Sequence, residues 1–344
     1  MKRILITGGA GFVGSNLAVN FRRHYPSKEI MVLDNLHRRG SELSLPRLLD
    51  YGISFFHGDI RNPEDLKALP AFDLLIECSA EPSVLSGQSE APSYCINTNL
   101  VGTTHCLDAA LQNNAPIIFL STSRVYPYQS ISEIPLEESE TRFEFPADLD
   151  LRGISAAGIA ETFPLEGPKS IYGATKLCSE LLIEEFVHMY GLRAIVNRCG
   201  TIAGPWQYGH AAQGVFAYWM LAHMFDWQLR YIGYNGTGKQ VRDVIHVDDL
   251  FHLIDRQLKY LDYIRFDTFN VGGGLFSNLS LRELTSICRG ACDRRIDIAK
   301  DPETRPADIP IYISDTSKAQ KAFDWIPNHS PEKILDDIHQ WILS

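Results

Sequence analysis

The feature that most constrains this chain is its opening run, Ile4-Leu5-Ile6-Thr7-Gly8-Gly9-Ala10-Gly11-Phe12-Val13-Gly14, which leads on to Met31-Val32-Leu33-Asp34. An apolar strand, glycines three apart, a helical stretch, a second apolar strand and a carboxylate follow in order, the signature of a strand-turn-helix-strand unit. Gly8 permits the tight turn, Gly11 lets the backbone approach a pyrophosphate, and Gly14 lets the helix pack closely on the strand. The helix N-terminus then offers unpaired N–H groups to the anion. Asp34 lies twenty residues past Gly14, where a ribose-binding acid belongs in a dinucleotide site. A carboxylate there accepts from a 2′-hydroxyl and repels a 2′-phosphate, so the expected cofactor is NAD and not NADP.

Up to about residue 200, apolar strands alternate with helical patterns; strands are expected at 2–7, 30–34, 54–57, 74–78, 117–121 and 193–198. That rhythm predicts an α/β fold, a Rossmann-type doubly wound parallel sheet with right-handed helical crossovers. A smaller C-terminal α/β substrate-binding domain is expected to follow. Ligands bind such sheets at the carboxyl ends of strands, which points to Asp34, Asp59, Ser79 and Thr122. Residues 133–170, rich in acids, prolines and glycines, read as an insertion near the mouth of the site. Beyond residue 200 the rhythm loosens into a stretch with Trp206, Tyr208, Tyr218, Trp219 and Trp227. A strand at 266–271 should return to the main sheet, and 280–289 has the pattern of an amphipathic helix. The expected division is 1–200 with 241–273 as the NAD-binding domain, and 201–240 with 274–344 as the substrate domain.

With 344 residues the chain can bury a large core, and its net charge of −10 argues against a general nucleic-acid binder, which needs a basic face. No apolar run approaches the roughly 20 residues of a membrane span, and Met1-Lys2-Arg3 passes straight into the first strand. Seven scattered cysteines without ligand spacing suit reduced thiols, and no metal site is expected. The expected location is cytoplasmic, without a nucleic-acid or membrane partner.

A second constellation is Ser170-Ile171-Tyr172-Gly173-Ala174-Thr175-Lys176. Tyr172 and Lys176 are four apart and share a helical face. An ammonium beside a phenol favours the phenolate and lowers its pKa from near 10 toward neutrality, which turns a poor base into a usable one. Thr122, at the end of the expected fifth strand, can bond the substrate oxygen and help relay its proton.

With these residues assembled, the chain resembles the extended short-chain dehydrogenase/reductases that act on nucleotide sugars. The likeness runs through Thr7 to Gly14, Gly58-Asp59-Ile60, Asn99-Leu100-Val101-Gly102-Thr103, Ser121 to Tyr126 and Tyr172 to Lys176. It continues through Gly238-Lys239-Gln240-Val241-Arg242-Asp243-Val244-Ile245-His246, Arg305-Pro306-Ala307-Asp308 and Asp315 to Lys318. Within that family it is most similar to CDP-paratose (CDP-tyvelose) 2-epimerases, on Asp34-Asn35-Leu36 with Arg38-Arg39-Gly40, Gly58-Asp59-Ile60-Arg61-Asn62, the long insertion and the Gly-Lys-Gln-Val-Arg-Asp run.

The resemblance implies a catalytic set of Thr122, Tyr172 and Lys176, with Tyr172 and Lys176 also on the cofactor. It puts Gly8, Gly11, Phe12, Val13, Asp34, Asn35, Asp59, Ile60 and Asn99 on the cofactor, Asp59 and Ile60 bordering the adenine. Thr201, Arg242 and Arg305 fall to the nucleotide-diphosphate sugar, and guanidinium suits a diphosphate. It further implies NAD recycled within an isomerase, and a homodimer built on the helical stretches 98–112 and 176–190. Two departures stand out. Glu77-Cys78-Ser79 replaces the usual His-Leu-Ala, making Glu77 and Glu81 either solvated loop acids or groups on sugar hydroxyls. Ser123 and Arg124 stand where sugar dehydratases carry Asp-Glu, which leaves an elimination without its acid and base. A 4-epimerase of the UDP-glucose/galactose type and a non-catalytic NAD-binding regulatory protein are the alternative readings.

Overall fold

The computed structural model describes residues 1–86, 91–209 and 213–344. They form two compact units: Met1–Val125 with Ser170–Arg198 and Leu250–Phe269, and Tyr126–Lys169 with Cys199–Asp249 and Asn270–Ser344. Residues 126–169 and 241–249 fall in the second unit, whereas the expected division gives both to the NAD-binding domain. The second unit is accordingly close to the first in size.

The first unit carries a seven-stranded parallel sheet. Its strands are β1 (Arg3–Thr7), β2 (Glu29–Asp34), β3 (Ser54–His57), β4 (Leu74–Glu77), β5 (Ile117–Thr122), β6 (Ala194–Cys199) and β7 (Phe266–Val271), in the order β7-β6-β5-β4-β1-β2-β3. Each end falls within one residue of its expected place. The interior strands are near-continuous apolar runs, such as Ile4-Leu5-Ile6 and Leu74-Leu75-Ile76, because helices cover both faces. On one face, α2 (Gly102–Gln112) and α3 (Ile171–Tyr190) bury Leu107, Ala110, Ile183 and Val187 against Leu5, Leu75, Ile117 and Phe119. Elsewhere in the unit, α1 (Phe12–His24) and α4 (Val247–Tyr260) meet through Phe21 and Phe251, whose rings stand edge-on with centroids 5.0 Å apart. Strand order reverses between β1 and β4, where doubly wound sheets open a ligand crevice. Thr7 and Glu77 face each other in register at that point.

The stretch expected to be helical at 98–112 is helical throughout, but its first residues lie in a π-helical turn, Asn97–Val101, that runs directly into α2. Such turns displace one carbonyl from the regular ladder and gather at functional sites. In α3 the Ser170 hydroxyl accepts from the Gly173 N–H and starts the helix, and Gly191, at φ +73°, ends it.

The second unit centres on the strand Val241–His246. It pairs in parallel with Thr201–Ala203 and Ile311–Tyr312, and antiparallel with Asn278–Ser280. Three helices, Val215–Phe225, Leu281–Cys292 and Pro331–Leu343, enclose Trp219, Met220, Leu284 and Leu335. Part of the aromatic stretch is thereby core: Trp219 stacks on Tyr231 and donates from Nε1 to Thr285 at 2.9 Å. Within the insertion, residues 150–159 form a small three-stranded antiparallel sheet. Among the described residues no helix is long and apolar enough to cross a membrane, and no group of three metal-ligating side chains forms.

Candidate active site

The turn after β1 is built for close approach. Gly8 has φ +64°, and a Cβ on it would lie 2.9 Å from the Cys78 carbonyl and the Ser79 nitrogen. A Cβ on Gly14 would lie 2.2 Å from the Gly8 oxygen, so α1 starts against the turn only with glycine there. At the head of α1 the N-cap is Gly11. No side chain caps its N–H groups, and its first turn, which holds Phe12 and Val13, carries no acid. A dinucleotide pyrophosphate fits that end on charge and on space. The Asp34 carboxylate accepts from the Ala10 N–H at 3.1 Å and the Leu36 N–H at 2.8 Å, tying the tip of β2 to the glycine turn. Burial raises its pKa, against those donors.

Asp59 is held rigidly. Burial alone would raise its pKa, but Arg61 grips both oxygens, down to 2.6 Å, and Asn35 donates at 2.8 Å, so it is held at about 2. Arg61 also lies over the Tyr94 ring, which packs at a tilt against the His37 ring with centroids 4.5 Å apart. Tyr94 was not singled out in the sequence because no motif includes it. Ile60 is buried against Gly102, and its carbonyl accepts from His105 Nδ1 at 2.8 Å.

Tyr172, Lys176 and Thr122 are all buried in the first unit, the two former one turn apart on α3 and the last closing β5. The Lys176 ammonium sits 4.2 Å above the Phe119 ring of β5, a cation–π contact. One turn further along α3, Glu180 receives Arg198 of β6 at 2.7 Å and the Ser121 hydroxyl. This fixes α3 along β5, beside Thr122. Thr122 Oγ1 accepts from the Arg124 N–H at 3.2 Å.

Asn99, in the π-turn, ties the loop after β4 to α3. Its Oδ1 accepts from the Glu81 N–H at 2.7 Å, and its Nδ2 donates to the Glu81 carbonyl at 3.0 Å and to Thr175 at 3.3 Å. Its carbonyl accepts from the Ser179 hydroxyl at 2.8 Å. The expectation for Glu77 needs correcting. It is neither a solvated loop acid nor open to a sugar, because it is the last residue of β4 and fully buried. Thr103 Oγ1 lies 2.7 Å from its Oε1, while Oε2 is buried without a hydrogen-bond partner. Glu81 is half-buried, and its carboxylate accepts from the Ser83 N–H and the Ser86 hydroxyl.

In the second unit, Arg242 donates to Asp308 at 2.7 Å and to the Val241 carbonyl at 2.8 Å. Asp308 also closes its own turn, its N–H donating to the Arg305 carbonyl at 3.2 Å. Distant in sequence, Arg242 and the Arg305 turn are thereby linked, with Arg305 itself exposed. Thr201 heads the strand beside Val244.

Residues 4–272 match the NAD dependent epimerase/dehydratase family. The chain belongs to that family. Among its relatives is the CDP-paratose 2-epimerase of Salmonella typhi, 29% identical over 99% of both chains. Another is the dTDP-glucose 4,6-dehydratase of Mycolicibacterium smegmatis, 29% identical over 98% of this chain and 92% of that protein. The crystal structure of the Thermus thermophilus UDP-glucose 4-epimerase in complex with NAD superposes with a TM-score of 0.79, at 25% identity over 99% of both chains. This family member is an enzyme that uses NAD, and the glycine turn, the uncapped head of α1 and Asp34 are the parts that would hold it. Epimerisation, one of the family's two named activities, is an isomerase chemistry.

Proposed function

We propose that this chain epimerises a nucleotide-diphosphate sugar through a transient keto-sugar, at carbon 2, as CDP-paratose/CDP-tyvelose-type 2-epimerases do. The observation that carries the reading is the burial of Tyr172 and Lys176 one turn apart on α3, docked along the strand that Thr122 closes. Tyr172, as the phenolate favoured by Lys176, takes the proton of a sugar hydroxyl while Thr122 bonds the same oxygen. NAD, when bound, supplies the acceptor and then the donor of the hydride, so net redox change is zero. The keto-sugar turns about its links to the diphosphate, which Arg242 and Arg305 hold, with Thr201 among the substrate contacts. The proton then returns from Tyr172 to the oxygen of the inverted carbon.

Ser123 and Arg124 support epimerisation over dehydration, since neither supplies the carboxyl pair that eliminating water requires. Full-length likeness to a 2-epimerase supports carbon 2, and likeness to a 4-epimerase structure makes carbon 4 the second reading. The test offers CDP-, UDP- and dTDP-hexoses to the protein and assigns the product by proton NMR. A C2-inverted product is expected; inversion at C4 would replace the first reading with the second. In Tyr172→Phe, turnover should fall about 100-fold or more. Undiminished epimerisation by that variant rules out the phenol as base, and NAD binding without turnover of any sugar points to a regulatory protein.

A further inference from the structure

Glu77 occupies an unusual place for an acid. It ends β4 at the switch point, in one row with Thr7 of β1 and Phe119 of β5, on the face covered by α2 and α3. Lys176 lies over that same Phe119 ring. Thr103 Oγ1 is 2.7 Å from Glu77 Oε1 and 2.8 Å from the Asn99 carbonyl oxygen. A threonine hydroxyl carries one proton, and a carbonyl oxygen can only accept. Both contacts receive a proton only if Thr103 donates to Asn99 and Glu77 donates to Thr103.

We propose that Glu77 is held as the neutral carboxylic acid and acts as a positioning residue, donating to Thr103 and leaving the positive field of Lys176 directed at Tyr172. An ionised carboxylate at this place would strand Oε2, which is buried with no donor, and such burial is costly. An anion would also offset the ammonium on which the phenolate depends. Burial raises the Glu77 carboxyl above its ordinary range, outweighing the opposing charge of Lys176 and the lowering that Thr103 would exert if it donated. Among the described residues the Cys106 thiol of α2 also lies near it, pushed far up by burial and kept neutral; β1 and β5 present Thr7 and Phe119. From the Glu77 proton the chain of bonds runs through Thr103 to the Asn99 carbonyl, on which Ser179 of α3 docks. Asn99 in turn clamps the backbone at Glu81. The acid that ends β4 thus braces α3 without adding charge.

The test is an isotope-edited infrared spectrum of the NAD-loaded protein labelled with carboxyl-13C glutamate, near neutral pH. Wild type minus Glu77→Gln should show a protonated-carboxyl carbonyl band; a carboxylate band in its place overturns the proposal. Thr103→Val removes the acceptor and should shift the same band, which keeps the test available if Glu77→Gln fails to fold. An unmoved band overturns the Thr103 assignment. Titration of phenolate absorbance, with Tyr172→Phe as the blank, should place Tyr172 at the same midpoint in wild type and Glu77→Gln. A midpoint lower by about one pH unit or more in Glu77→Gln would mean that an anion had been removed. The effect on Tyr172 rests on the catalytic role proposed for it, while the infrared band does not. Should Tyr172→Phe turn over normally while the acid band persists, the catalytic reading fails and the protonation state stands.

Discussion

Asp243 lies fully buried in the strand Val241–His246, and the space for it is made by neighbours without side chains. A Cβ on Gly200 would lie 2.3 Å from its Oδ1, and one on Gly272 would lie 1.9 Å from its Oδ2. Its partners are the Ser314 hydroxyl, the Ser314 N–H at 3.1 Å and the Gly274 N–H at 3.4 Å, and Oδ1 is left without a hydrogen-bond partner. Burial outweighs those donors and lifts the carboxyl from 3.8 to about 6. The folded state therefore binds this proton more tightly than the unfolded chain does. The stabilisation is complete below the unfolded pKa and is lost as pH rises through about 6. Its size is on the order of 3 kcal/mol. In Asp243→Asn the difference from wild type in urea midpoint should change across that window and be flat above it. A difference that does not vary with pH would mean that Asp243 is already ionised when folded.

At the scale of elements, α3 carries both Tyr172 and Lys176, so its seating on the sheet matters more than its length. The seat is the ion pair of Glu180 with Arg198, both under one-tenth exposed, joined by the Ser121 hydroxyl. Three nitrogen–oxygen contacts of 2.7 to 3.2 Å make the pair a fork that resists sliding of the helix. Arg198→Met strands a buried carboxylate and should cost about 3–5 kcal/mol, read from denaturant midpoints. Glu180→Leu with Arg198→Met should recover most of that loss, because the two desolvation costs vanish together. A double variant as unstable as the single one would show that the pair itself, not the stranded charge, holds α3. Neither residue could be marked in the sequence, where Glu180 reads as an ordinary helical acid and Arg198 as a strand end. Only the packing of α3 on β5 and β6 makes them partners.

For the molecule as a whole, the proposed homodimer has a physical basis in the outer sides of the same helices. Val101 and Leu111, at and within α2, and Leu181 on α3 are exposed apolar residues beside a well-packed interior. Sedimentation at micromolar concentration should give twice the single-chain mass, and Leu181→Arg should shift it toward one chain. A single-chain mass for the wild-type protein would remove the dimer from the reading.

Local chemistry made the cofactor half legible in the sequence. Glycines at 8, 11 and 14 and the acid at 34 would act on a dinucleotide through backbone space, a helix end and one charge, all set within a single strand-helix-strand unit. The seven strands were equally legible, because parallel strands buried on both faces must be runs of apolar residues. The four-residue step from Tyr172 to Lys176 likewise follows from helix geometry. What sequence could not decide depends on contacts between distant segments. Glu77, at the end of an expected strand, read as either a solvated acid or a group on sugar hydroxyls; β4 carries it under α2 and α3, where it is fully buried beside Thr103. The expected division gives 241–249 to the NAD-binding domain, yet its pairing with Thr201–Ala203 and Ile311–Tyr312 places it in the second unit. The opening glycines determined that a dinucleotide binds; tertiary packing decided which buried charges surround Tyr172, because desolvation exists only once the chain has closed over them.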